Sequence, residues 1–383
     1  MITKDECIKQ LLALFDKNIS IDKLDNAANS VLKNKKIILY GGGNGAATFI
    51  TFVVKQYGYN VSAIIDEKIT EEKSWMDYPA YSPRRYLPTT EEKENSVVVI
   101  TVGNKAAKSE IYQSMRRKGF KKILFATDVI EYHLHYTPKE YKRSSHDYFH
   151  GQKQNITDCY NLLGDKKSKM IYNAFLGTYR YKKILPIPNQ LPKFQYFPED
   201  LKLNKGYSRV INCGSFRGDT IEQLNLQHGK NSAIACFEPD SQNFKCLTDY
   251  LMSEPDRLSS SVIAFPCGVF NDEKQLKFNS ALTNSAIKYG GNEIIQCVAL
   301  DHVLPNFKPT FISMDIEGAE PDALRGAENL IKKYSPDLAI CVYHAPNHIW
   351  DIPIYLNKLG VKYKYYLRNY TGYTSETVLY ATS

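Results

Sequence analysis

Short runs of apolar, often β-branched residues recur along the chain. Each leads into a glycine-bearing turn and then into a stretch with apolar residues at helical spacing. The first is Lys36-Ile37-Ile38-Leu39-Tyr40, followed by Gly41-Gly42-Gly43-Asn44-Gly45-Ala46. The second is Val210-Ile211-Asn212, followed by Cys213-Gly214-Ser215-Phe216-Arg217-Gly218. An apolar strand that turns through glycine into a helix opens a βα unit of a mostly parallel sheet. Two such openings predict two α/β units of Rossmann-like type. In the first, residues 61–66, 96–103 and 122–126 predict further strands and residues 106–119 a helix, so this domain spans 1–135. Residues 136–205 are polar and helical, punctuated by Leu185-Pro186-Ile187-Pro188, and are expected to form a connecting arm. The second domain, 206–383, continues with strands at 233–238, 262–265, 311–315 and 338–343. Its last strands, near 363–367 and 376–381, are expected to form a terminal antiparallel pair.

Composition narrows the class of protein. With 43% apolar and 23% charged residues the chain reads as globular, and its length suits two domains. The net charge of +8 is spread in short runs such as Arg116-Arg117-Lys118, without the basic stripe that nucleic-acid binding needs. Eight cysteines never form a CxxC pair, and several lie inside apolar runs, as in Ala235-Cys236-Phe237, so reduced buried thiols and a cytoplasmic setting are expected. No apolar run approaches the ~20 residues of a membrane span.

The second glycine turn has a chemical logic. Glycines allow backbone to approach a ligand, and the N–H groups of the helix start at Asp219-Thr220 favour electron-rich groups. Glu238 ends the next strand, twenty residues after Gly218, placed to accept hydrogen bonds from ribose hydroxyls. A tight βα turn beside a surface acid explains the same residues more blandly.

Further motifs follow in order: Phe237-Glu238-Pro239-Asp240, Asp315-Ile316-Glu317-Gly318-Ala319-Glu320, Leu324-Arg325-Gly326-Ala327, Cys341-Val342-Tyr343-His344 and Leu367-Arg368-Asn369-Tyr370. Together they resemble the FkbM family of methyltransferases, from about Gln195 to the C-terminus, and the stretch from Asp165 looks similar to longer bacterial members. The resemblance implies a class I methyltransferase fold that uses S-adenosyl-L-methionine (SAM) to methylate a hydroxyl of a sugar, glycan precursor or natural product. It implies that Gly214, Ser215 and Gly218 line the methionine end of SAM, with Asp219 and Thr220 at the helix start. Glu238 would take the ribose, and residues 267–272, ending in Asp272, would lie beside adenine. Two departures stand out: Asn212 replaces the family's usual Asp and offers the SAM amino group no counter-charge, and Arg217 stands where longer members carry an acidic or neutral residue.

For the chemistry itself, Asp315 and Glu317 end a strand where α/β sheets place their ligands, and they are expected to position acceptor hydroxyls. Capping of the following helix is the structural alternative. His344, also past a strand end, is expected to be the base or an acceptor-orienting group, its free pKa of ~6.5 lying nearer neutrality than that of a carboxylate; a structural histidine is the competing reading. His348 follows His344 at helical spacing, but Pro346 intervenes and no acidic partner is adjacent in sequence. His133, His135, His146 and His150 read as a solvated linker, and no metal site is expected. In the first domain, Gly41, Gly43 and Asn44 with Asp66 fit a dinucleotide fingerprint. NAD, a nucleotide-sugar, or a scaffold or homo-oligomerisation role are all open there. The alternative for the whole chain is a non-catalytic nucleotide-sugar-binding or assembly protein with a degenerate methyltransferase domain.

Overall fold

The computed structural model describes residues 4–16, 32, 34–71, 73–126, 129, 146–181, 185–253, 255–279, 286–287 and 293–383. It divides into two compact units: 1–152 with 173–193 and 369–375, and 153–172 with 194–368 and 376–383. Both are mixed α/β, each with a parallel-dominated main sheet.

In the first unit, strands β1 (Lys36–Tyr40), β2 (Asn60–Ile65), β3 (Lys73–Trp75), β4 (Tyr78–Tyr81), β5 (Val97–Ile100) and β6 (Ile123–Phe125) form one sheet in the order β3-β4-β2-β1-β5-β6. Every pairing is parallel except that of β3 with β4. Near-continuous apolar strands need cover on both faces. Accordingly Ile37, Leu39, Ile64, Val97 and Val99 enter one buried cluster, and Ile38, Tyr40, Ile65, Val98 and Ile100 enter another. The period-2 alternation of strand side chains separates the two sets. Gly45, early in the helix Asn44–Phe49, packs so closely on the end of β5 that a Cβ there would lie 2.0 Å from the Thr101 carbonyl oxygen.

The second unit is built on β7 (Arg209–Cys213), β8 (Ala233–Phe237) and β9 (Val262–Phe265). A side sheet follows, β10 (Gly268–Val269), β11 (Lys274–Asn279), β12 (Ala286–Ile287) and β13 (Glu293–Val298), in the order β10-β13-β11-β12. The chain then returns to the main sheet as β14 (Phe311–Met314), β15 (Asp337–Cys341), β16 (Lys364–Asn369) and β17 (Thr377–Thr382). The main order is β16-β17-β15-β14-β7-β8-β9, with β17 antiparallel to β15 and parallel pairing from β15 through to β9. Strand order reverses between β7 and β14, whose last residues, Cys213 and Met314, are register partners. Beyond the carboxyl ends of such a pair lies the crevice where open α/β sheets bind ligands.

Two distant motif fragments meet here. Arg368, only 2% exposed, puts Nη2 2.7 Å from Asp165 Oδ2 and Nε 2.9 Å from Asp200 Oδ2. Asp165 in turn accepts the Ser168 N–H at 2.7 Å, one turn into the helix Lys166–Tyr181. A buried guanidinium with two carboxylates is a satisfied network rather than a stray charge.

Candidate active site

The turn after β7 is held from both sides. The N–H groups of Gly214 and Ser215 each donate to the Phe237 carbonyl at 3.0 Å. On the other side, a Cβ on Gly214, which sits at φ +80°, would lie 2.0 Å from the Asp315 carbonyl oxygen. Glycine is therefore required, and the end of β14 packs directly on the turn. Ser215 Oγ donates to the Asn212 carbonyl at 3.0 Å, and Gly218 begins the helix Asp219–His228, in which Thr220 is buried. Asn212 is 2% exposed and its Nδ2 donates to Ser313 Oγ at 2.9 Å, so its amide faces β14. The Arg217 guanidinium donates from Nε to Asn243 Oδ1 at 3.1 Å and lies over the Phe216 ring.

Glu238 directly follows β8, beside this turn. It accepts the Phe216 N–H at 2.8 Å on Oε2 and the Asp240 N–H at 2.9 Å on Oε1. Burial pushes its carboxyl up to about 7; the two N–H donors pull the other way, and the charges of Asp240 and Asp219 add to the rise. Phe216 takes a left-handed φ of +48°, uncommon for an aromatic residue. Asp272 is exposed and groups with Glu273 and His302, whose Nδ1 is 2.8 Å from Glu273 Oε2.

Past β14 a second cluster forms. The Asp315 N–H donates to the Cys213 carbonyl at 3.0 Å, extending the strand pairing by one residue. Its Oδ2 accepts the Tyr196 hydroxyl at 2.6 Å and its Oδ1 the Tyr343 hydroxyl at 3.3 Å. Tyr196 and Glu317 hold φ of +71° and +56°, and strain of this kind concentrates at functional sites. Glu320 is fully buried at the start of the helix Glu320–Arg325. Its Oε1 accepts the Ile316 N–H at 3.0 Å, the Gly318 N–H at 3.4 Å and the His344 Nδ1–H at 2.8 Å. His344 Nε2 in turn lies 3.4 Å from Asp315 Oδ1 and 3.6 Å from Glu317 Oε2. Burial alone would lower the His344 pKa, but Glu320, Glu317 and Asp315 raise it well above the ordinary histidine value. Burial likewise opposes ionisation of Glu320, yet His344 and His348 hold it well below the usual carboxylate range.

The structure thus brings His344, Asp315 and Glu317 together, and places Gly214 against the same strand end. The helix they precede has Ala319 at its N-cap, with no side-chain cap bond from that residue. Sequence reasoning passed over Tyr196, Tyr343 and Glu320. Glu320 is the last residue of the acidic motif, and it also supplies the acidic partner that sequence adjacency denied to His348, with Oε2 3.5 Å from His348 Nδ1.

In the first unit Asp66 Oδ2 accepts the Gly42 N–H at 2.6 Å, and Trp75 Nε1 donates to the Gly42 carbonyl at 2.7 Å. Gly43 is the N-cap of the helix that starts at Asn44, and Gly41 takes φ +110°. His133, His135 and the side chain of His146 lie outside the described residues, while His150 lies in the helix His146–Gly151. Among the described residues no helix is long and apolar enough to cross a membrane.

Residues 177–365 match the family model described as Methyltransferase FkbM domain. Among solved structures, methyltransferase FkbM from Methylobacillus flagellatus KT matches over 98% of this chain and 98% of its own, with a TM-score of 0.58 at 19% identity. An rRNA methylase from Streptococcus thermophilus (TM-score 0.29, 14% identity, 47% of this chain and 89% of that one) matches more weakly. So does Aeropyrum pernix fibrillarin in complex with natively bound SAM (0.30, 11%, 49% and 72%). A search of curated proteins returned no match. The 98% match shows a shared fold, and the family model assigns the second glycine turn, Glu238 and the acidic cluster to one domain. Residues 177–365 are therefore a methyltransferase domain of the FkbM type.

Proposed function

We propose that the chain transfers a methyl group from SAM to a hydroxyl of a sugar, glycan precursor or natural product. The observation that carries this reading is the packing of the Gly214 turn against the carbonyl of Asp315, which sets a crevice edged by Glu238 beside a cluster of acids and one imidazole. The crevice residues fit an adenosyl cofactor. Gly214 admits no side chain, Glu238 is a buried carboxyl at a strand end, and Gly218 opens a helix. Gly214, Ser215 and Gly218 would hold the methionine end, with Asn212, Asp219 and Thr220 around it, and Glu238 the ribose. When bound, SAM supplies an electrophilic methyl on sulfur: the acceptor oxygen bonds to it, the carbon–sulfur bond breaks, and the hydroxyl proton is lost. Asp315 and Glu317 orient the acceptor hydroxyl and can take its proton, and His344, held in place by Glu320 and kept protonated by the surrounding carboxylates, orients the acceptor as a hydrogen-bonding partner. Fixing that geometry is worth roughly 7–11 kcal/mol of barrier in well-aligned systems.

Calorimetric titration with SAM and S-adenosylhomocysteine is expected to show one site, and labelled methyl should pass to members of a panel of nucleotide-sugars and glycan fragments. No heat with either ligand in folded protein would leave the non-catalytic reading standing. The Glu238 carboxyl gains its charge only as pH rises through about 7, and ribose hydroxyls donate best to a charged acceptor. Affinity for S-adenosylhomocysteine is therefore expected to climb from about pH 6 to 8, by up to roughly tenfold per unit on the acid side. Glu238→Gln should flatten that profile. A Kd indifferent to pH in the unmutated protein would remove Glu238 from the site. In the N-terminal unit, Gly41, Gly43, Asn44 and Asp66 are proposed to hold a nucleotide or nucleotide-sugar. Asp66 ties its glycine turn as Glu238 ties the other, each accepting a turn N–H.

A further inference from the structure

Asp315, Glu317 and Glu320 crowd the His344 imidazole, and His348 reaches only Glu320, so two rings face three carboxylates. The two nitrogens of His344 face different surroundings. Nδ1 donates to fully buried Glu320 at 2.8 Å, which fixes the ring and turns Nε2 toward Asp315 and Glu317. Among the described residues Nε2 makes no hydrogen bond, although the side chain is only 4% exposed. A buried carboxylate behind one ring nitrogen, with further carboxylates before the other, is how proteins present histidine to a metal ion. The spacing agrees. Oxygen and nitrogen ligands bonded at about 2.0–2.2 Å sit roughly 3–3.5 Å apart in adjacent positions, and Nε2 is 3.4 Å from Asp315 Oδ1 and 3.6 Å from Glu317 Oε2. Asp315 and His344 offer ligand atoms inside 4.8 Å of each other, and Glu317 adds an oxygen 3.6 Å from the same Nε2. Asp315 is itself steadied by the Tyr196 hydroxyl, 2.6 Å from Oδ2, which leaves Oδ1 toward the ring.

We propose that His344 Nε2, Asp315 and Glu317 bind a divalent transition-metal cation, with Glu320 orienting the histidine from behind. One imidazole with two carboxylates suits Mn²⁺, Fe²⁺ or Zn²⁺ better than Mg²⁺ or Ca²⁺, which prefer all-oxygen shells. The Asp315 and Glu317 side chains are 25% and 31% exposed, so the cation keeps positions open to an incoming hydroxyl, whose proton it makes easier to remove. That last role rests on the methyl-transfer reading above; the binding of the cation does not.

The test uses full-length protein stripped with a chelator and titrated with Mn²⁺, bound and free ion being followed by electron paramagnetic resonance. One equivalent is expected, held at least tenfold more tightly than Mg²⁺, with the nitrogen coupling of one imidazole in the pulsed spectrum. His344→Gln, or Asp315→Asn if that variant does not fold, should lose this equivalent. His302→Gln, which alters the exposed Asp272, Glu273 and His302 group, should keep it. No stoichiometric uptake, uptake without nitrogen coupling, or loss in His302→Gln alone would each overturn the site. Calorimetry with SAM on the same preparation reports the methyl-transfer reading separately, so either can fail without the other.

Discussion

Gly214→Ala is expected to cost the second unit roughly 5–15 °C of thermal stability and to weaken S-adenosylhomocysteine binding at least ~100-fold, about 2.7 kcal/mol. Two penalties coincide at this position. The backbone sits at φ +80°, where an L side chain costs about 1–2 kcal/mol. The new Cβ would also stand 2.0 Å from the Asp315 carbonyl oxygen, a backbone atom that cannot swing aside as a side-chain tip would. Relief of that clash costs about 1–3 kcal/mol more and must part the turn after β7 from the end of β14. Those are the two walls of the proposed crevice, so affinity suffers beyond stability. Gly206→Ala separates the penalties: that glycine has φ +65° but nothing within 4 Å of its Cβ position. It should lose about 1–2 kcal/mol and bind the ligand normally. A Gly214→Ala protein that melts and binds like the unmutated one would show that the crevice does not lie there.

What the sequence revealed of this site depended on where each contact partner lies along the chain. The β7 turn, Glu238 and the Asp315–Glu320 motif are local patterns, a strand end followed by glycine or acid, and they were legible. Glu320 stood inside a recognised motif, yet its role comes from His344, 24 residues on and across the sheet. Tyr196 reaches Asp315 from 119 residues away, and no periodicity could announce it. The fold shows the same division. Continuous apolar runs such as β5 announce a strand buried on both faces, whereas the β3–β4 hairpin went unseen because its turn is Met76-Asp77. Both of those residues take left-handed φ, +52° and +68°, a demand that Asn-Gly or Asp-Gly ordinarily signals. The side sheet was equally hidden. β11 mixes lysine and glutamine with few apolar residues, and in β13 the apolar residues do not mark one face: Ile295 and Cys297 are buried while Ile294 is exposed.

Removal of the Glu320 side chain should be the most disruptive change in the acidic cluster. Glu320→Ala is expected to lower unfolding free energy by about 3–5 kcal/mol, the usual consequence of taking away one partner of a buried pair. The carboxylate is fully buried and answers three donors at once, the Ile316 and Gly318 N–H groups and His344 Nδ1. Its loss leaves two backbone donors in a turn already strained at Glu317, and a buried imidazole without the partner that fixes its orientation. Glu320→Gln separates structure from chemistry. Its amide oxygen can still accept from the turn and from Nδ1–H, so most of the stability should return. The ring would nevertheless lose a full negative charge behind it, and outer partners of this kind are typically worth 10–100-fold in affinity or activity. Urea denaturation of both variants, read beside methyl transfer, is the measurement. If the alanine variant unfolds at the same urea concentration as the unmutated protein, Glu320 is not the buried anchor of His344. If the glutamine variant keeps full activity, the charge behind the ring has no part in the chemistry, and Glu320 serves the fold alone.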